Sequence, residues 1–294
     1  MAFSLGARVL GWLVAALTVA GCASFPEPRS ERSTPEGQRL LERAAHAHGW
    51  DAYRRLNDIS VSYDGRWYRT VTRLQPVLVD SEFRGSSEER MLVAERSIGQ
   101  THRGPGGSKQ VARTTDAVTV WYNDRLESDA QKRAAAALVA DGYRLFLLGP
   151  IYLRERGAIV EHAGTDTIDG VECDRLLARL RPGLGEAKEE RVMLWVDRLD
   201  GLTRRIWISA DGLPTTQGVI AEVDVSDYWE IGGVRWPTRF FERLQRPFPL
   251  DVHRWHVVGL DVDRGFTAAD ISGPAFRRAA ARPATPLGGA ASRR

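Results

Sequence analysis

From Ile159 to Val262 the sequence alternates apolar and polar residues with a period of two, broken only by short turn signals. AIVEHAGTDTI, VECDRLLARL, ERVMLWVDR, LTRRIWIS, QGVIAEVDVSDYWE, VRWPTRFFERLQ and DVHRWHVVGLDV read as seven strands. Their connections include Asp169-Gly170, Asp200-Gly201, Asp211-Gly212 and Gly232-Gly233, dipeptides suited to hairpins because both residues tolerate positive φ. Parallel neighbours need a long crossover, usually a helix, and none separates these strands. The pattern therefore implies an antiparallel meander.

The preceding residues begin as helix. Ser33 and Glu36 form a capping-box pattern, Pro35 suits a first turn, and Leu40, Leu41, Ala44, Ala45 and His48 share one face. Gly49 ends that helix, and WDAYRRL reads as one more short helical piece. DISVSYDGRWYRT, QPVLVDSEFR, EERMLVAERS, SKQVARTT and AVTVWYND are then expected as strands. Between them and the long meander, residues 128–148 are helical, Ala-rich and apolar at the end, with Gly142 expected to divide them and Gly149-Pro150 to stop them.

Val219, Ala221, Val223 and Val225 share one strand face and Glu222, Asp224 and Ser226 the other, the mark of a half-exposed sheet. Residues 191–197 differ: Val192, Leu194 and Val196 are apolar on one face, and so are Met193 and Trp195 on the other. Such a strand needs cover on both sides, which a curved sheet with helices over its concave face would give. Seven of the nine tryptophans fall in expected strands, where each either fills a core or lines an apolar pocket.

The N-terminus has a different character. Arg8 precedes an uncharged run, Val9–Ala20, that ends in LTVAGCAS. About 12 residues is short of the ~20 that a membrane span needs, and the layout is that of a secretory signal. VAGC resembles the lipobox of bacterial lipoproteins; the other readings are an ordinary signal peptide that contains a cysteine, or a short membrane helix. The resemblance implies removal of residues 1–21, a lipid (palmitate-type) modification on Cys22, and a place in the bacterial cell envelope. Ala23, where an Asp would favour the inner membrane, points to the outer one, facing the periplasm. Residues 22–35 are then the acylated cysteine and a Pro- and Ser-rich flexible tether. Residues 36–272 are the folded domain, and 273–294 a low-complexity basic tail.

Arg8 is the only charged side chain before Cys22, so without residues 1–21 the 41 basic against 38 acidic side chains become 40 against 38. This near-neutral balance argues against nucleic-acid binding. Cys173 is the other cysteine and reads as a buried thiol. His253 and His256 lie three apart in a strand and face opposite ways, and His46 and His48 occupy different helix faces, so no metal or cofactor is expected. GPGGSK lacks the phosphate-loop spacing, and no nucleophile or acid/base constellation stands out, so no catalytic residues are expected.

TDTIDGVECDRLLARLRPGLGEAKEERVMLWVDRLDGLTRRIWIS, VSDYWEIGGVRWPTRF and AHAHGWDAYRRLNDISVSYDGRW together resemble the LolA/LolB-like lipoprotein-localisation carrier superfamily. The resemblance implies a mainly β (α+β) half-barrel of roughly eleven antiparallel strands with helices over its apolar mouth. It also implies a non-catalytic, membrane-tethered protein that holds an acyl chain, lipid or lipidated peptide. The alternative is an envelope sensor or protein-interaction module of the same fold. Candidate pocket residues are Trp121, Met193, Trp195 and Trp207, although strand parity leaves open which face is concave. Phe146, Leu147 and Leu148 are candidate lid residues, packing against the core being the other role open to them.

Overall fold

Two meanders, running in opposite directions from one seam, make the sheet. The computed structural model describes residues 24–271 and Phe276. The first meander comprises β1 (Asp58–Trp67), β2 (Ser86–Leu92), β3 (Ser97–Gly104), β4 (Gly107–Arg113), β5 (Val118–Tyr122) and β6 (Arg125–Leu126). The second comprises β7 (Ile159–Ile168), β8 (Val171–Leu180), β9 (Glu190–Asp197), β10 (Thr203–Ile208), β11 (Ile220–Ile231), β12 (Val234–Arg246) and β13 (Leu250–Val262). β13 returns to pair antiparallel with β1, so the spatial order runs from β6 through β1 and β13 to β7. The result is one open antiparallel sheet of thirteen strands among the described residues, with β6 and β7 as its edges.

Helices fill the concave side. α1 (Pro35–Ala47) and α2 (Trp50–Tyr53) precede β1, and α3 (Arg69–Leu74) and α4 (Pro76–Val79) follow it. α5 (Ala130–Leu148) and α6 (Pro150–Glu155) connect the two sheet edges in sequence. One large apolar cluster joins α1, α5 and α6 to inward residues of both meanders. α1 starts with Thr34 as its cap, the side chain accepting from Gly37 N, while Pro35 stands at the first turn. Ser33, expected as the cap, instead accepts from Val160 N. A Cβ at Gly37 would lie 2.5 Å from the Val160 carbonyl oxygen, so only glycine lets the helix come this close to β7.

The second meander matches the sequence pattern strand for strand; the residues before it depart from the pattern in three places. QPVLVDSEFR is not a strand: Pro76 opens the short helix α4 and Asp80 ends it in the left-handed region at φ 51°. Burial of Val79 with Val71 and Val252 outweighs the β propensity of Val-Leu-Val. β3 was not expected at all, because polar Gln100 and His102 occupy its buried positions and hide the alternation. Gly142 does not divide α5, which is continuous from Ala130 to Leu148; burial on nearly every side holds a glycine that would cost an exposed helix about 1 kcal/mol.

Residues 1–23, including the expected signal segment and Cys22, lie outside the described residues. The part of the expected tether that is described is bonded to the domain. Phe25 is buried, packing edge-on against Trp207 with ring centroids 5.9 Å apart. The Arg29 and Ser30 amides donate to the Glu161 carboxylate, and Arg179 and Arg181 pair with Glu31. Of the expected basic tail, Phe276 is described, and it is buried against the Arg90 guanidinium, 4.3 Å from the ring centroid. The rest of 273–294 lies outside the described residues.

Candidate functional site: an apolar cleft with a polar wall

The strand registers place one residue from each of seven strands in a row across the concave face. It runs Leu176, Leu194, Ile206, Val223, Glu242, His253 and Trp67. Four strands contribute apolar side chains, and at β12 the row turns polar. Above this change lies a cleft of about 760 Å³, counting its open mouth. Val71, Leu78 and Val79 of α3–α4 form its roof and Leu138, Val139 and Phe146 of α5 one wall. Ile208, Ala221, Leu244 and Val252 form the floor.

Arg84 and Glu242 are the charged groups of this cleft. Arg84 follows α4 and folds back over it, donating to the Leu78 carbonyl at 2.9 Å and the Val79 carbonyl at 3.4 Å. A cation on the last carbonyls of a helix satisfies groups that have no intrahelical partner. The guanidinium also lies over the Trp67 ring, 4.6 Å from its centroid, and donates to the Tyr143 hydroxyl at 3.2 Å. Trp67 returns a bond from its Nε1 to the Arg84 carbonyl at 3.2 Å. His253 stacks on Trp67 with centroids 3.8 Å apart and planes within 3°, its Nδ1 being 3.4 Å from the Tyr143 hydroxyl.

Burial governs the charges of this wall. It pushes the Glu242 carboxyl up to about 7, against the pull of Arg84, and holds His253 well below its usual value. Behind it, β2 and β3 bury Glu89 and Gln100, joined by a 2.6 Å bond from Gln100 Nε2 to Glu89 Oε1. Burial pushes Glu89 up to about 8 and holds the neighbouring His102 well below its usual value. Around neutral pH the histidines are therefore uncharged and Arg84 is the cation facing the cleft.

The roof is fastened at its end. Asp80 Oδ2 accepts from Lys109 Nζ at 2.7 Å and from the Tyr122 hydroxyl at 2.6 Å, which ties α4 to β4 and β5. Gln75 Nε2 donates to the Thr215 carbonyl at 2.9 Å across the mouth. An enclosure of this kind takes an elongated apolar body between α3–α4 and the sheet, with a polar end beside Arg84 and Glu242.

The residues expected to line a pocket are elsewhere. Met193, Trp195 and Trp207 lie on the convex face, clustered with Phe25, Cys173 and Leu177. That face is convex because Val192, Leu194, Val196 and Ile206 take the opposite parity and enter the main core. Trp195 Nε1 donates to Asp166 and Trp207 Nε1 to Glu222, so both indoles satisfy their N–H groups at the surface. Trp121 lies on the outer side of β5, since its neighbour Val120 faces the core. Of the three expected lid residues, Phe146 lines the cleft, while Leu147 and Leu148 are buried in the core. The roof is α3–α4.

Two residues of the wall carried a readable signal. Glu242 falls on the parity of Trp236 and Phe240, and His253 on that of Trp255 and Val257, so each puts a polar group on a core face. Arg84 carried none, because it reaches the cleft from a turn. Among the described residues, no group of three or more His, Cys, Asp or Glu side chains is placed to hold a metal ion.

No family model matches the sequence, and no curated protein matches it. Solved structures do resemble it. A LolA superfamily protein from Nitrosomonas europaea superposes with a TM-score of 0.54 at 10% identity, over 80% of this chain and 97% of that one. The chain has the LolA-like fold. A DUF1329 family protein from Desulfovibrio piger is similar at a TM-score of 0.52 and 15% identity, over 81% of this chain and 98% of its own. At these identities the likeness concerns the half-barrel and its helices, and the cleft must be judged by its own residues. The thirteen strands here exceed the roughly eleven expected of a LolA-like half-barrel, β3 being one strand unmarked in the sequence and β6 only two residues long.

Proposed function

We propose that this protein is a lipid-anchored lipoprotein of the bacterial envelope that binds an acyl chain, a lipid or a lipidated peptide in the cleft beneath α3–α4, without covalent chemistry. The observation that carries this reading is the cleft itself: a largely apolar enclosure in which Arg84 and Glu242 stand at one wall. Each methylene moved from water into such a site contributes ~0.8 kcal/mol, so a fatty chain of ordinary length has ample driving force. The short, separately fastened helices α3 and α4 are the segment that would move to admit it. The LolA-like fold, together with the lipobox resemblance around Cys22, supports an envelope setting, and Ala23 the outer membrane facing the periplasm.

Native mass spectrometry of the purified protein, with fluorescent fatty-acid titration, tests the reading. Leu78→Trp and Phe146→Trp, which add bulk to the cleft, are expected to weaken fatty-acid binding at least tenfold while leaving the fold intact. A protein that is always empty and takes up no fatty acid overturns the ligand reading and favours a protein-interaction role for the same fold. Separately, Cys22→Ser is expected to abolish metabolic palmitate labelling; labelling that persists removes the anchor.

A further inference from the structure

We propose that the protein has a second binding site, for a phosphate-bearing polar group, in an arginine-lined hollow on the far side of α5 from the apolar cleft. The hollow has a volume of about 1170 Å³, counting its open mouth, and lies where the β4–β5 turn meets the β8–β9 loop. It shares no lining residue with the cleft.

Five arginines face it, Arg96, Arg113, Arg144, Arg156 and Arg181, against three carboxylates, Asp116, Asp141 and Glu186. The partners of each arginine determine what charge is left over. Arg113 is neutralised: it donates to Asp141 through Nε at 3.2 Å and a terminal nitrogen at 2.9 Å, and also to the Gly185 carbonyl. Asp141 in turn accepts from the Gly185 amide at 2.8 Å, so this trio joins β4, α5 and the β8–β9 loop into a rigid floor. Arg181 is also neutralised, by Glu31 and Glu189.

Arg96 and Arg156 are not, and Arg144 shares its charge with Glu155. Arg156 bonds only neutral oxygens, the Tyr152 hydroxyl at 2.6 Å and the Pro182 and Gly183 carbonyls at 2.7 and 3.4 Å. Arg144 is 6% exposed, donates to the Arg96 carbonyl at 2.6 Å and forms a buried ion pair with Glu155 at 3.4 Å; its Nε is buried with no hydrogen-bond partner. Arg96 is exposed on a left-handed residue at φ 51°, and among the described residues no carboxylate lies within ion-pair distance of it. Asp116 and Glu186 are exposed on the rim and form no ion pair with these three among the described residues.

Positive charge held this way, beside a floor that spends its own carboxylate elsewhere, suits an anion of more than one charge with several acceptor oxygens. Planar guanidinium forks match phosphate oxygens in geometry as well as charge. The hollow has room for more than the bare ion, which indicates a phosphate carried on a small polar body. That body is either a soluble phosphoester or the headgroup of a phospholipid. Because the lining comes from both meanders and from α5, an occupant would also bridge the two halves of the sheet.

The test uses the purified full chain with three probes: inorganic phosphate, glycerol 3-phosphate, and vesicles with and without phosphatidic acid. Phosphorus NMR titration reads binding of the soluble probes, and thermal melting at constant ionic strength reads stabilisation against chloride. Saturable phosphate or glycerol-phosphate binding supports a soluble phosphoester; a response to phosphatidic acid vesicles alone supports a headgroup. Arg96→Gln and Arg156→Gln are each expected to weaken binding about tenfold or more, with Arg125→Gln, at the exposed edge strand, leaving it unchanged. Arg96 is exposed, so its variant should fold normally even where Arg156→Gln does not. Stabilisation no larger than that by chloride, with no response to vesicles, overturns the proposal, as does equal binding by Arg96→Gln and Arg125→Gln. Fatty-acid binding in the cleft, measured in parallel, reports on the other reading independently.

Discussion

The two meanders use their concave faces in opposite ways. The second buries Leu176, Leu194, Ile206 and Val223 as one continuous apolar row. The first buries Glu89, Gln100, His102 and Lys109 among its inward residues. Both faces are buried, but one is held by the removal of hydrocarbon from water and the other by polar groups that must find partners inside. The cleft lies next to the seam, where the row passes from Val223 through Glu242 and His253 to Trp67. The difference teaches that in this half-barrel one wall is apolar packing while the other also fastens a helix, holding α4 through Asp80 and Lys109.

The largest effect should come from making the apolar half resemble the polar one. Ile206→Asp places a carboxylate in the row with no partner and is expected to cost more than about 4 kcal/mol, so the domain should fail to show a cooperative melting transition. A variant that melts like the parent would show that the row tolerates charge and that the contrast is only compositional.

That contrast also decided how much could be read from the sequence. The seven strands of the second meander announce themselves because most of their inward residues are apolar and four of their connections carry Asp-Gly or Gly-Gly. β3 does not, since Gln100 and His102 are inward and polar while the pattern rule expects the reverse. α4 looked like a strand because a Val-Leu-Val run says nothing of what will cover it. Which face of β9 is concave was undecidable, since Val192 and Met193 are equally apolar; the helices α1, α5 and α6 decide it by packing on one side. The cleft was legible as a possibility of the fold, but Arg84 and α3–α4 depend on contacts between segments far apart in the chain.

Making the polar half less ionisable should act in the other direction. Glu89→Gln keeps an acceptor for Gln100 Nε2 and removes a carboxyl whose ionised form burial penalises. At pH 8 the variant is expected to be more stable than the parent by about 2 kcal/mol, read from denaturant midpoints. A variant less stable than the parent would mean that the charge is needed where it lies.

The smallest effect is the shape of the stability curve. Glu89, Glu190 and Glu242 are raised to about 8, 7 and 7 in the fold from an ordinary 4.5. Each therefore contributes stability that is complete below about pH 4.5 and is lost as pH rises through 7 to 8. His48, His102 and His253 are lowered from 6.5 by burial, so their contribution is present above 6.5 and is lost as pH falls below it. The two sets oppose each other between pH 4.5 and 6.5, and only the acids act from 6.5 to 8. Melting temperature should hold nearly level across the first interval and fall by a few degrees across the second. A rise from 6.5 to 8 would show that the carboxyls are ionised in the fold and paired.

An open sheet has two free edges, and each is a template for another chain. β6 offers only Arg125 and Leu126. β7 is long, but at Val160 its outward amide already donates to Ser33 Oγ and its carbonyl already accepts from Thr34 N. The segment that carries Phe25 across the convex face thus ends as a guard rail on the one edge long enough to recruit a neighbour.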